Sequence, residues 1–318
     1  MPTRTRFIVV VNKSWECDPV CWALTNSYLA DTCNIVVPWP VLQTYPSRGP
    51  VPPLHDPVRP RLVWNAQNLT IEVWCISDLL SCFPPAPAYQ SSSQRKMEVL
   101  GEIFAYSYDP VELVVAVGTA SSGPDIPWLD GAPQDSINGS VVVGSHVFLH
   151  DGHPATDPNP DSQWRWPWFD TVMSSTAPTA IFDGLASSDA PTGAFLCPPT
   201  NSATNGPLLY VDPAFVAIGD INVTDYSQYG AKDSEAGAAY LKTGGDDGVS
   251  LETTHGLIYA AARDASIETD PPFLFVSGVV DRFAKFNVDV LKPYAQNIAG
   301  AHNAGVVVAQ LIAQRLQA

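Results

Sequence analysis

Two acidic residues late in the chain stand where chemistry could be done. Ser250-Leu251-Glu252 opens an apolar run whose spacing predicts a helix over residues 251–263. The apolar run 273–280 predicts a strand that delivers Asp281. An acid at the carboxyl end of a strand in an α/β sheet stands where ligands bind. A carboxylate such as Glu252 could accept two hydroxyls of a sugar. A desolvated carboxyl such as Asp281 keeps its proton to higher pH and could pass it to a leaving group. Each also has a plainer reading. Glu252 could be a first-turn residue complementing the helix dipole, and that reading is preferred from the residues alone. Asp281 could equally be the N-cap of a helix over residues 282–286, and both readings stay open.

Three other groupings invite chemistry. Gly118-Thr119-Ala120-Ser121-Ser122-Gly123 follows an apolar strand, and its backbone N–H groups could approach an anion or a sugar. A tight strand-to-helix turn explains it as well, and neither a GK[ST] ending nor GxGxxG is present. His146, His150, Asp151 and His153 fall within eight residues and could in principle ligate zinc or iron. Their spacing matches no standard metal motif, so no metal and no other cofactor is expected. Trp164, Trp166 and Trp168 could stack on a sugar or base but read better as a covered interface. His255 and several serines permit a Ser-His-Asp arrangement, yet the chain lacks a G-x-S-x-G elbow.

The elements that must position these residues follow from composition and pattern. With 318 residues, 46% hydrophobic and 15% charged, the chain can bury a large core without disulfides or metals. Its 32 acidic against 16 basic residues give a net charge of −16, which argues against nucleic acid and against an anionic membrane as partners. No run approaches the ~20 apolar residues of a membrane helix, and the N-terminus lacks a signal core, so a cytoplasmic location is expected. None of the six cysteines forms a CxxC pair, and they read as mostly buried free thiols.

Strands are expected at 6–11, 34–37, 69–76, 111–117, 140–149 and 273–280, with a Gly219-Asp220 turn after 207–218. Helices are expected at 15–29 (with Pro19 in its first turn), 94–106, 251–263 and 293–317. Strands alternate with helices, so the class is α/β. No repeat or linker divides the chain, and one domain over residues 1–318 is expected, with insertions near 38–95 and 154–206.

Five stretches stand in a telling order. They are an apolar strand at 7–11 leading to Glu16, VELVVAVGTA at 111–120, GSVVVGSHVFLHD at 139–151, FVAIGD at 215–220, and SLETTHGLIYAAA at 250–262 followed by FLFVSGVVDRF at 273–283. In this order they resemble the nucleoside phosphorylase and nucleosidase superfamily, with the methylthioadenosine/S-adenosylhomocysteine nucleosidase branch as the nearest likeness. The resemblance implies a three-layer α/β/α fold around a mixed, partly closed sheet. It implies cleavage of the N-glycosidic bond of a purine or related nucleoside, with a homo-oligomer, often a dimer, as the assembly. Glu252 would hold ribose hydroxyls, Asp281 would protonate the leaving base, and Glu16, or Asp18 close by, would activate water. Gly118, Thr119, Asp220, Asn222, Leu251, Ser277 and Val280 would line the base and sugar pocket.

Several of these positions depart from the family's pattern. Val280 stands where the family has Ser, Ser277 where it has Arg, Asn222 where it has an aromatic residue, and Leu251 where it has Met. Ala116 stands where phosphorylases place a phosphate-binding Arg, with no other cation evident nearby in the sequence. Hydrolysis is therefore expected ahead of phosphorolysis. A phosphate-dependent phosphorylase and a catalytically silent nucleoside-binding or assembly protein remain the alternatives.

Overall fold

Runs of Val, Ile and Phe bounded by Gly, Pro or acidic residues become strands, and all twelve of the described strands join one sheet. The computed structural model describes residues 4–25, 41–42, 59–66, 68–83, 92–122, 137–150, 169–187, 192–201, 204–220, 229–243, 248–252, 254–265, 270–282 and 294–317. Its strands are β1 (Thr5–Val11), β2 (Val41–Leu42), β3 (Leu62–Ala66), β4 (Leu69–Cys75), β5 (Val111–Ser122), β6 (Val141–Gly144), β7 (His146–His150), β8 (Val172–Ser174), β9 (Leu209–Val211), β10 (Val216–Asp220), β11 (Gly248–Leu251) and β12 (Phe273–Arg282). Its helices are α1 (Ser14–Thr25), α2 (Ile76–Cys82), α3 (Ser92–Ala105), α4 (Thr179–Ala186), α5 (Tyr229–Lys242), α6 (His255–Ala265) and α7 (Tyr294–Gln317).

The sheet is mixed and runs β2-β3-β4-β1-β5-β11-β10-β7-β8, with β12 on β5 and β6, and β9 on β6. Alternation along β1 shows its layering. Phe7, Val9 and Val11 pack with α1, α4 and α7 on one face. Ile8 and Val10 pack with α2, α3 and α6 on the other. The α/β class and the three-layer arrangement expected from the sequence are what the chain adopts. None of the described helices is long and apolar enough to cross a membrane.

A buried ion pair ties β1 to β4 and α3. Arg6 Nε and Nη2 donate to the two oxygens of Glu72 at 2.9 and 2.8 Å, and Nη2 also donates to the Ile103 carbonyl at 2.7 Å. Trp74 Nε1 donates to the same carboxylate at 2.8 Å. Both charged side chains are shut off from solvent. Removing one partner strands the other charge, so Arg6→Met is expected to cost about 3–5 kcal/mol of stability in a denaturant titration. The double change Arg6→Met, Glu72→Leu should recover most of that loss. A midpoint for Arg6→Met equal to that of the unaltered protein would exclude this role.

One close approach sets the path of β12. A Cβ on Gly278 would lie 2.0 Å from the Gly300 carbonyl oxygen. Only glycine lets α7 descend onto β12 here.

Several boundaries differ from expectation, each for a local reason. Pro19 sits inside α1 and not in its first turn, because the Lys13 carbonyl accepts from Glu16 N and Cys17 N and starts the helix at Ser14. The expected loop at Gly118–Ser122 is strand, since β12 pairs with β5 as far as Ser122. The single strand expected at 140–149 is two. Its first part pairs with β12 and β9, its second with β10 and β8. The helix expected from Leu251 begins at His255, because Ser250 and Leu251 pair with β5 as the end of β11.

Gly219 and Asp220 are the end of β10 and not a turn. The spans 62–66, 77–82 and 229–242 are not expected to be regular and form β3, all of α2 after Ile76, and α5, while Ile76, expected to end a strand, starts α2. Inside the spans read as insertions lie β2, β8 and α4, besides β3, β4, α2 and the start of α3. Cys17, Cys21 and Cys75 are buried free thiols, whereas Cys197 is exposed. The strand expected at 34–37 and the tryptophan run at 164–168 lie outside the described residues.

Candidate active site

The site forms where β5 changes neighbours. Along one edge β5 pairs with β1 from Val111 to Val117, and with β11 only at Ser121 and Ser122. The stretch between them, Gly118 to Ala120, pairs with no strand of the described residues on that edge. Such a switch of strand partners is where α/β sheets place ligands. On the other edge β12 sets Ser277 opposite Gly118 and Asp281 opposite Ser121, with Val280 as the extra residue of a bulge.

Glu16 reaches the gap from the first turn of α1. Its Oε2 accepts the Lys13 N–H at 2.9 Å, which is half of a capping box. Its Oε1 turns the other way and accepts from Thr119 N at 2.9 Å and Thr119 Oγ1 at 2.7 Å. Burial and the nearby charge of Glu252 push its carboxyl up to about 7, against the pull of the Thr119 and Lys13 hydrogen bonds. A carboxyl in that range can take or give a proton near neutrality.

Glu252 lies in the short link between β11 and α6 and is buried. Its carboxylate accepts from Thr254 N at 2.5 Å, from Thr254 Oγ1 at 2.5–2.6 Å and from His255 N at 2.8 Å. It thus caps α6 from outside the helix and is not an exposed first-turn residue. A carboxylate has about four acceptor directions, so room remains for about one more donor.

His255 is the residue that the sequence pattern did not single out for this place. Its ring is 1% exposed and stacks on Phe275, with centroids 5.8 Å apart. Its Nδ1 is 3.4 Å from Ser277 Oγ, which donates to Ser250 Oγ at 3.3 Å. Its Nε2 lies 4.0 Å from Glu252 Oε2 and has no hydrogen-bond partner among the described residues. Burial lowers its pKa, partly offset by the charge of Glu252. A Cβ on Gly118 would be 3.5 Å from both Glu16 Oε1 and His255 Nε2, so glycine leaves a hollow between them.

Lys96 was also missed. It projects from α3 into the field of Glu252 and Glu16, and burial lowers its pKa to about 8. The expectation of no cation near the site is therefore corrected: Ala116 is buried in the sheet core, but α3 supplies an ammonium from the neighbouring layer.

The structure gathers Glu16, Gly118, Thr119, Glu252, Ser277 and His255 around one gap, with Asp281 in the strand row beside it. Asp281 is within the last two residues of β12 and is 9% exposed. Val280 and Leu251 are not brought to the gap. Val280 packs against Gly300 of α7, and Leu251 joins Phe148, Ile218 and Tyr240 in a core under α5. Asp220 ends β10 opposite His150, and Asn222 lies outside the described residues. Asp18 is turned away and pairs with Arg61, which leaves Glu16 as the carboxylate from α1 at the gap.

His146 and His150 stand four residues apart on β7 and do not converge. His146 Nδ1 is 3.3 Å from Ser145 Oγ, and His150 Nδ1 is 2.7 Å from Asp170 Oδ1. No group of three His, Cys, Asp or Glu side chains among the described residues is placed to hold a metal. Asp151 and His153 are outside those residues.

No protein-family model and no curated protein sequence matches the chain. Solved structures do match over nearly its whole length. Futalosine hydrolase of Helicobacter pylori aligns with a TM-score of 0.54 at 10% identity, covering 98% of each chain. A 5′-methylthioadenosine/S-adenosylhomocysteine nucleosidase from Helicobacter pylori aligns at 0.53 and 9% identity, covering 98% of this chain and 99% of that one. A uridine phosphorylase of the oomycete Phytophthora capsici aligns at 0.54 and 13% identity, covering 97% and 92%. The chain has the fold shared by nucleosidases and nucleoside phosphorylases.

Proposed function

We propose that this protein hydrolyses the N-glycosidic bond of a purine nucleoside or a related nucleoside, releasing free base and a ribose derivative. The observation that carries the reading is Glu16. It is a buried carboxyl raised to about 7, held by Thr119 at the open edge of β5. A carboxyl of that affinity can accept a proton from water at neutral pH. Glu252 is within its electrostatic reach, and its donors among the described residues leave about one acceptor direction for a sugar hydroxyl. Asp281, one strand spacing of ~4.8 Å from Ser121, is the group on β12 suited to protonate the departing base.

In this reaction the C1′–N bond breaks, its electron pair goes to the base, and the base takes a proton from Asp281. Water oxygen bonds to C1′ and gives a proton to Glu16. Solvent then restores both carboxyls. Charge on the sugar in the transition state is cationic, and buried carboxylates stabilise it without reorganising.

Lys96 favours a second reading, phosphate-dependent cleavage, because an ammonium beside the site could hold an anion. A panel of nucleosides incubated with and without inorganic phosphate, with free base measured by chromatography, separates the two. Base release that is equal in both arms is expected. Release only with phosphate overturns hydrolysis in favour of phosphorolysis. Tight nucleoside binding with no release in either arm identifies a silent binding protein.

A further inference from the structure

His255 offers the gap a chemistry that the roles above leave unused. Its imidazole is held on two sides, and its backbone is held as well. Phe275 stacks on it, Glu252 accepts its backbone N–H, and Ser277 meets its Nδ1. Ser277 spends its own hydrogen on Ser250 Oγ. The bond to the ring must therefore run from Nδ1–H to Ser277 Oγ. That fixes the tautomer with a bare Nε2, a buried acceptor that has no hydrogen-bond partner among the described residues, lies 4.0 Å from Glu252 Oε2 and faces the hollow over Gly118. An orphaned buried acceptor is costly, and its persistence at a site calls for a donor there.

Across the same hollow stands Glu16 Oε1, which already accepts from Thr119 N and Thr119 Oγ1 and, when ionised, can take a third hydrogen. Two acceptors facing one small space need a single molecule with two hydrogens to give. A sugar hydroxyl has one. Phosphate near neutrality presents mainly acceptor oxygens. Lys96 has enough hydrogens but forms no hydrogen bond or ion pair with Glu16 among the described residues. Water fits. Held by both hydrogens, it turns its lone pairs away from the two acceptors and toward whatever lies above the gap.

We propose that His255 Nε2 and the Glu16 carboxylate together hold the attacking water over Gly118, each accepting one of its hydrogens. The proposal rests on the hydrolytic reading and deepens it. Glu16 takes the proton that leaves, and His255 keeps the second hydrogen as a positioning contact. The Ser250–Ser277 pair holds the ring in the tautomer that does this. Ser277 thus gains a role toward the nucleophile and not toward the base.

Three measurements on the full chain test it. In protein labelled with ¹⁵N-histidine, long-range proton–nitrogen spectra should show His255 neutral, with its proton on Nδ1 and Nε2 bare. His255→Leu should lower kcat by roughly 30-fold with KM little changed, and His255→Gln, whose amide oxygen can accept a hydrogen bond, should restore most of that. In water–methanol mixtures the unaltered protein should form little methyl riboside, because methanol has one hydrogen for two acceptors. His255→Leu should raise the methanol share, and His255→Gln, which restores an acceptor, should lower it again. A proton found on Nε2 overturns the proposal, whatever the activity. So does His255→Leu with unchanged kcat and unchanged methanol share, and hydrolysis itself then stands. No base release by the unaltered protein overturns the hydrolytic reading and this proposal together. If His255→Leu fails to fold, His255→Gln with a methanol share like that of the unaltered protein supports the proposal, and a raised share overturns it.

Discussion

Replacing Asp281 by Asn is expected to lower base release by about a thousandfold, the middle of the range for a lost general acid. The amide matches the carboxyl in shape but has no acidic proton. The departing base must then leave as an anion or take its proton from solvent that the sheet largely excludes. Asp281 is 9% exposed, and the β12 bulge at Val280 sets it opposite Ser121, just past the open edge of β5. The loss should fall on kcat, since the proton moves only as the bond breaks. It should also depend on the leaving group. A riboside whose leaving group departs as a stable phenolate needs no proton, so the variant should cleave it about as fast as the unaltered protein. Thermal melting should change little, which separates lost chemistry from lost fold. Turnover of a purine nucleoside by Asp281→Asn within about threefold of normal would remove Asp281 from the mechanism.

The strands that carry the site were legible because each is a run of β-branched and aromatic residues with a clear end. Val111 to Val117 and Phe273 to Val280 could hardly be anything else. What their ends do was less legible. Small residues after Val117 look like a loop in any local window, yet β12 and β11 hold Gly118–Ser122 extended from either side. Ser250 and Leu251 fit a helical period, and only their pairing with β5 makes them strand. Tertiary pairing overrides local preference in both cases.

The site residues divide in the same way. Glu252 and Asp281 stand at expected element ends and could be named from the residues, whereas Glu16 is named only through the family resemblance, with Asp18 beside it. His255 could have been suspected, since it follows Glu252 by three residues, the spacing of a cap and its helix. Nothing local says that its ring meets Ser277 and the Gly118 hollow, because those contacts cross from α6 to β12 and β5. Lys96 is more remote still. It comes within electrostatic range of the carboxylates because α3 and α6 cover the same face of the sheet. A net charge of −16 says nothing about one ammonium placed beside two carboxylates.

Glu16→Gln should separate function from stability more sharply than any other change. In the folded protein the Glu16 carboxyl is raised to about 7 from 4.5. Below pH 4.5 it is protonated whether the chain is folded or not, and the group costs nothing. As pH rises from 4.5 to 7 the unfolded chain gives up this proton and the folded one keeps it, so stability falls. Above that range the fall is complete, at about 3 kcal/mol from this group as an upper value. Gln has no such proton. It keeps an oxygen for Thr119 but no longer accepts from Lys13 N, which returns about 1 kcal/mol. The variant should therefore be more stable than the unaltered protein at about pH 8, by about 1–2 kcal/mol, and no more stable at about pH 4.

Activity should move the other way. The base acts ionised, so kcat/KM of the unaltered protein should rise with pH to a plateau above about 7. Glu252, His255 and Lys96 surround Glu16 and shape the same limb, but among the described residues Glu16 is the one that both bonds the β5 edge and borders the hollow. Gln at this position should remove the limb and lower the rate by about 10²–10³-fold. A carboxyl kept at a cost in stability and lost only with function marks a catalytic group, because selection for stability alone would discard it. If Glu16→Gln lowers the melting temperature at about pH 8 and leaves the acidic limb in place, Glu16 is a helix cap and the proton acceptor lies elsewhere.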